Sequence, residues 1–248
     1  MTGPVRAGAR ALAKLAELLV FPSSCRLCGA LLERPGERIV CRDCLGRLSP
    51  RRGPACPACG RFFEGEAGDR LCGRCLAGRP AFSAHRSCAA YGGPLKDVIL
   101  LFKYRRCAPL AVPLARFAEA ALGGEAALWE GADALVPVPL HRARRRERGF
   151  NQALLLAREL GRRRGLEVLR GSLVKVRNVA AQAGLRAAER ERNVVGAYAV
   201  RRREKVRGRV LVLVDDVTTT GATLRECARA LAEAGAKDVR ALTLAQAL

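Results

Sequence analysis

The chain has 248 residues, half of them hydrophobic, enough apolar material for a sizeable core in one or two domains. Its formal charge of +22 favours anionic partners: phosphate ligands, nucleic acid or an acidic membrane surface. No stretch approaches the ~20 apolar residues of a transmembrane helix, so a membrane span is excluded as an expectation.

The first 22 residues begin basic, with Arg6 and Arg10, and turn apolar. Lys14 and Glu17 interrupt the apolar run and no small-x-small cleavage site follows, so a signal peptide does not fit. Leu12, Leu15, Ala16 and Leu19 fall on one face of an amphipathic helix instead. This helix is expected over 1–22, packed on the module that follows, or else resting on a membrane surface or a partner. The expected compartment is the cytoplasm, with a peripheral place at the inner face of the membrane as the variant.

Eight of the eleven cysteines precede residue 76, in two copies of one pattern. Cys25-x2-Cys28-x12-Cys41-x2-Cys44 is followed after eleven residues by Cys56-x2-Cys59-x12-Cys72-x2-Cys75. A two-residue gap lets both sulfurs of a knuckle face one tetrahedral metal, and a twelve-residue insert suits a hairpin that returns with the second knuckle. Gly29, Gly60 and Gly73 follow cysteines where a left-handed turn is useful. Four thiolates with no open position indicate structural zinc, two ions in all. Disulfides and an iron–sulfur cluster are the alternatives. Two such sites lower the formal charge to about +18. Sequential pairing of the tetrads is the simplest arrangement, and cross-bracing is the other. A short metal-dependent module is therefore expected over 23–80. His85 reads as an ordinary polar residue, and Cys88, Cys107 and Cys227 as buried or inert thiols.

From about residue 86 to 248 helix and strand signals alternate. Helices are expected over 96–104, 113–122 and 150–164, the last with its apolar face at 150, 154, 155 and 157. Ala134 to Val138 reads as a short strand, Val210 to Val214 as a strand buried on both faces, and Val239 to Leu244 as a final strand. A helix is expected over 221–234. The pattern is α/β with a mainly parallel sheet.

The chemistry collects after the buried strand, where such sheets bind ligands. Asp215 and Asp216 follow five apolar residues, a place where acids have little structural purpose. Two adjacent carboxylates can accept hydrogen bonds from the two hydroxyls of a ribose. Thr219, Thr220, Gly221, Ala222 and Thr223 then turn into a helix, and their N–H groups and hydroxyls can cradle a phosphate.

This ordered set resembles the 5-phosphoribosyl 1-pyrophosphate (PRPP) signature of type I phosphoribosyltransferases. The whole chain resembles the competence protein F (ComF) family, which joins a double zinc ribbon to such a domain. The segments that carry the likeness are LLVFPSSCRLC (18–28), LLFKY (100–104), VPVPLHRARRRERGFNQ (136–152), QAGLRAAERERNVVGAY (182–198) and the PRPP loop. The resemblance implies a Rossmann-like phosphoribosyltransferase domain. It implies a pyrophosphate loop at Val136 and Pro137. It also implies PRPP contacts from Arg145, Arg148 and Arg177, and a catalytic group of Lys103, Asp215 and Asp216. Gln182, Arg190 and Asn193 match a segment expected to close over the ligand, and Val179 stands where the family has Thr. A solvated basic face is the alternative account of the Arg145 to Arg148 cluster.

Two functions follow from the resemblance. One is transfer of phosphoribosyl from PRPP, with Mg2+, to an acceptor, with release of pyrophosphate. The other is handling of single-stranded DNA during uptake, with other uptake proteins as partners and without turnover. Aromatics form only 4% of the chain, so stacking platforms are few. Phe62, Phe63 and Tyr91 are the candidates near the cysteines, each with core packing as the plainer reading.

Overall fold

The computed structural model describes residues 23–33, 37–63, 70–177 and 193–247. The expected helix at 1–22 lies outside these residues, as do Val179, Gln182 and Arg190.

The cysteine repeat folds as two small ribbons. Each begins with a tight turn closed by an antiparallel bridge, Ser24 to Leu31 in the first and Ala55 to Phe62 in the second. Each ends in a one-turn helix that carries the second knuckle, α1 (Arg42–Gly46) and α2 (Gly73–Ala77). Gly60 has a φ of 63°, and a Cβ there would lie 2.3 Å from the carbonyl oxygen of His85. Only glycine lets the ribbon approach the next strand this closely. Gly73 opens α2 and needs no left-handed backbone, contrary to the expectation.

The larger domain is a five-stranded, wholly parallel sheet in the order β1-β7-β6-β2-β3. Its strands are β1 (Ala84–Ala90), β2 (Ala134–Pro137), β3 (Glu167–Val168), β6 (Val210–Thr218) and β7 (Asp238–Gln246). A separate antiparallel pair, β4 (Leu173–Lys175) and β5 (Tyr198–Val200), flanks it. The helices are α3 (Gly93–Tyr104), α4 (Ala111–Leu122), α5 (Ala126–Trp129), α6 (Arg142–Arg148), α7 (Gln152–Arg164) and α8 (Ala222–Glu233). One core lies on each face of the sheet. The first gathers α3, α4 and α7; the second gathers α8, β5 and the opposite side of β6.

Three readings shift. Helix α7 starts at Gln152, capped by Asn151, whose side chain accepts from the Leu154 N–H. Its buried face is Ala153, Leu156, Ala157 and Leu160, one residue round from the expected stripe. Strand β6 does not stop at Val214 but continues through both acids to Thr218, because β7 keeps pairing with it to Gln246. Strand β1 supplies the edge beside β7, and its His85 is buried.

The ribbons are not a separable appendage. Leu32, Val40, Cys41 and Cys44 share a continuous apolar core with Leu95, Val98 and Phe102 of α3. The Arg26 guanidinium donates to the Cys107 sulfur at 3.4 Å. The second ribbon instead hangs on β1 through hydrogen bonds. The His85 N–H donates to the Ala58 carbonyl at 2.9 Å, and His85 Nδ1 to that of Cys59 at 2.8 Å.

Candidate functional site

The zinc sites are built by backbone as well as sulfur. The sulfurs of Cys25, Cys28, Cys41 and Cys44 lie within 4.8 Å of one another, and so do those of Cys56, Cys59, Cys72 and Cys75. Pairing is therefore sequential, not cross-braced. Cys25 Sγ accepts from the N–H groups of Leu27 and Cys41 at 3.5 and 3.4 Å, and Cys56 Sγ accepts from Cys72 at 3.4 Å. Burial opposes ionisation of Cys25 and Cys56, but the backbone donors outweigh it and hold the thiols down at about 6 and about 7. Burial pushes Cys44 up to about 12; only a cation would keep all four sulfurs ionised together. Four sulfurs converging on one point, some already stabilised as thiolates, fit structural zinc.

Beyond the zinc ligands, His85 is neutral: burial holds it down at about 4. Nδ1 donates to the Cys59 carbonyl, so Nε2 accepts from the Thr243 hydroxyl at 3.0 Å. Cys88, Cys107 and Cys227 are buried, and burial pushes the thiols of Cys88 and Cys227 upward.

The acid pair stands near the carboxyl end of β6. Asp216 is buried, and the Lys103 ammonium from the last turn of α3 donates to its Oδ1 at 2.8 Å. Asp215 accepts from the Asp216 N–H through Oδ1, also at 2.8 Å. Burial, then the neighbouring Asp216 carboxylate, pushes Asp215 up to about 7, with Lys103 and Arg148 pulling back. One lysine thus neutralises one of two adjacent acids, and the other is half protonated near neutrality. The Lys175 ammonium on β4 lies 5.4 Å from the Tyr198 ring centroid; burial lowers its pKa, and Cys227 and Asp215 act on it through space. Reading the sequence missed Lys175, because a three-residue strand leaves too short a pattern to place one side chain.

After Thr218 the chain turns into α8. Gly221 occupies the left-handed region at φ 76° as the cap, and the Ala222 N–H donates to the Thr220 hydroxyl at 3.3 Å. The first turn of this twelve-residue helix presents N–H groups beside Thr219 and Thr223, the geometry that receives phosphate. Arg148 stacks on Tyr104 with 5.2 Å to the ring centroid and donates to the Gln152 side chain at 3.3 Å; its Nε has no partner. Arg145 is exposed on α6. Val136 is buried in the core and Pro137 pairs with Val214 at the strand end. Arg177 bonds the backbone carbonyls of Asn193 and Val195 and stays exposed.

The second ribbon closes one side of the loop. Arg74, between two cysteines of its knuckle, donates to the Thr220 carbonyl at 2.5 Å. A cleft of about 1200 Å³ runs between the ribbon and residues 218–221. Phe62 and Phe63 are half-buried and line it; Phe63 also packs against the small core formed by the cysteines of the second ribbon, as expected, and Phe62 belongs to no core cluster among the described residues. Tyr91 does pack against the core.

Residues 17–76 match the double zinc ribbon domain family, and residues 147–248 match the phosphoribosyl transferase domain family. The DNA utilization protein YhgH of Escherichia coli (strain K12) is 33% identical over 233 residues, covering 93% of this chain and 100% of the relative. The chain belongs to the competence protein F (ComF) family. Competence protein F of Haemophilus influenzae is 31% identical over 222 residues, covering 84% of this chain and 96% of the relative. Competence protein ComFC of Bacillus subtilis (strain 168) is 30% identical over 221 residues, covering 86% of each. The ComF fold accounts for both halves of the architecture: a phosphoribosyltransferase-type α/β domain with a double zinc ribbon ahead of it. No described helix is long and apolar enough to cross a membrane.

Proposed function

We propose that this ComF-family chain binds PRPP at the end of β6 and transfers its phosphoribosyl group to an acceptor, releasing pyrophosphate. The observation that carries the reading is the acid pair with its lysine. Asp215 and Asp216 sit where β6 turns toward the phosphate loop, with Lys103 2.8 Å from Asp216. The carboxylates accept from the ribose hydroxyls, and the loop 219–223 takes the 5-phosphate. Lys103 and Arg148 supply positive charge for the leaving pyrophosphate. Mg2+ accompanies PRPP and supplies further charge neutralisation when bound. Isothermal titration with Mg–PRPP tests the site. Asp215→Asn with Asp216→Asn should weaken binding roughly ten- to a hundredfold; an unchanged affinity removes these acids from the site. Pyrophosphate release with a panel of nucleobases and ammonia tests the transfer.

A second reading, handling of single-stranded DNA without turnover, is favoured by a different observation. Helix α6 carries Arg142, Arg144, Arg145, Arg146 and Arg148, none of them buried, beside the end of β2. The relatives are named for DNA utilization and for competence, which points the same way. DNA affinity no better than that of an unrelated protein of equal charge at matched salt removes this reading.

A further inference from the structure

The cleft between the second ribbon and the phosphate loop is larger than a phosphoribosyl ligand requires. Its 1200 Å³ exceeds the roughly 300–1,000 Å³ of small-molecule pockets. Five arginines line it, Arg51, Arg61, Arg70, Arg74 and Arg225, and among the described residues no Asp or Glu does. Phe62 and Phe63 stand in the same wall, Phe63 with part of its surface against the cysteine core of the ribbon. Each ring already holds a guanidinium: Arg51 lies 4.8 Å from the Phe62 centroid and Arg70 5.3 Å from that of Phe63. The adjoining residues 64–69, with Glu64, Glu66 and Asp69, lie outside the described residues.

Two polar atoms of the wall are buried without a partner. Gln246 is 7% exposed, and its Oε1 at the end of β7 accepts no hydrogen bond. Arg225 Nε, on the first turn of α8, donates none. Buried polar atoms ordinarily find partners; these two are enclosed beneath the wall, and the groups that the cleft itself exposes are the guanidiniums and the rings. The ligand chemistry that uses the arginines and the rings together is repeated anionic groups alternating with flat rings.

We infer that this cleft is a binding site for a short stretch of single-stranded DNA, with bases stacked on Phe62 and Phe63 and phosphates held by Arg61, Arg70 and Arg74. The inference rests on the DNA-handling reading and deepens it. It places the strand on the zinc ribbon, in a cleft that none of the α6 arginines lines. The rings accept any base, so recognition is sequence-tolerant, and the cleft wall supplies the cations that follow the backbone. A duplex buries its base faces and gains nothing from the rings.

The test is fluorescence anisotropy of the full chain with a labelled oligo(dT) of about twelve nucleotides over a salt series. Phe62→Leu and Phe63→Leu keep apolar volume and remove the ring. Each should weaken binding about 5- to 150-fold, the range of one lost base stack. Phe62→Tyr should restore it. Arg61→Glu with Arg70→Glu should flatten the salt slope by about 1.4, two contacts' worth. Zinc content and Mg–PRPP affinity of every variant should equal those of the parent, showing that the fold is kept. DNA binding that survives the leucine variants but is lost with Arg142→Glu and Arg146→Glu overturns the site and leaves the DNA reading standing. Duplex bound as tightly as single strand overturns the stacking mode. No DNA binding above the equal-charge control overturns the reading and the site together.

Discussion

Arg74, held in the second zinc knuckle, donates a hydrogen bond to the carbonyl of Thr220 in the phosphate loop at 2.5 Å. Its neighbours in the chain are Gly73 and the buried Cys75, so its position follows the metal site. Arg74→Met should therefore weaken Mg–PRPP binding about three- to tenfold, since a hydrogen bond from a charged donor contributes about 1.5–3 kcal/mol and the loop keeps its other supports. Titration calorimetry checks this; an unchanged affinity uncouples ribbon and loop.

The Lys103–Asp216 pair predicts an asymmetry. Lys103→Met leaves a carboxylate buried without its partner and should cost about 3–5 kcal/mol of folding stability in urea denaturation. Asp216→Asn leaves the more adaptable ammonium and should cost less. Equal losses in the two variants contradict a desolvated pair.

Asp215 predicts a pH dependence. Its carboxyl titrates at about 7 in the folded protein, against an ordinary aspartate value of 3.8. A raised carboxyl pKa means the folded state holds more protons between these values, so its contribution to stability is present at low pH and lost as pH rises from about 4 to about 7. Ligand binding runs the other way. A carboxylate accepts from ribose hydroxyls more strongly than the neutral acid does, so PRPP affinity should rise as pH passes through about 7. Asp215→Asn should remove both trends. Parallel pH series of denaturation and calorimetry measure them; identical profiles in parent and variant contradict the assignment.

The two metal sites should differ in consequence. Metal analysis should find about two zinc ions per chain. Cys41→Ser should lower thermal stability of the whole chain, because Cys41 belongs to the core shared with α3. Cys72→Ser should act locally, loosening Arg74 and the loop while the first ribbon and the sheet keep their melting temperature. Differential scanning calorimetry with zinc quantification distinguishes the two; equal effects contradict the division.

Much of the fold and site is legible in the residues for physical reasons. Cysteine spacing fixes which sulfurs can meet, and β6 announces itself by five buried apolar residues followed by two acids. Other features are hidden. The edge strand β1, with its His85, Arg86 and Ser87, reads as polar, because its polar residues are satisfied across the chain. His85 bonds Cys59 and Thr243, and Ser87 bonds Thr243 at 2.7 Å. No local pattern reveals partners 158 residues away. The shared core of ribbon and helix is equally invisible, since a cysteine pattern predicts metal but not what its outer surface touches. Phe62 and Phe63 read as core because aromatic residues usually are, and Phe63 does pack on the cysteine core of its ribbon; the guanidinium that also stacks on each ring leaves no periodic trace.

The pairing of β1 with β7 has a consequence for how the molecule assembles. The strand that follows the ribbons finds its neighbour only after β2, β3 and β6 have been made. Each ribbon closes on contacts at most 19 residues apart and can form early around its metal. Strand β1 must wait as an open hydrogen-bonding edge until β7 arrives. Such long-range parallel pairing is slow, and an unpaired edge invites other chains. The second ribbon, through the Ala58 and Cys59 carbonyls that accept from His85, can occupy the other edge of β1 in the meantime, so that β7 meets a strand already held on one side.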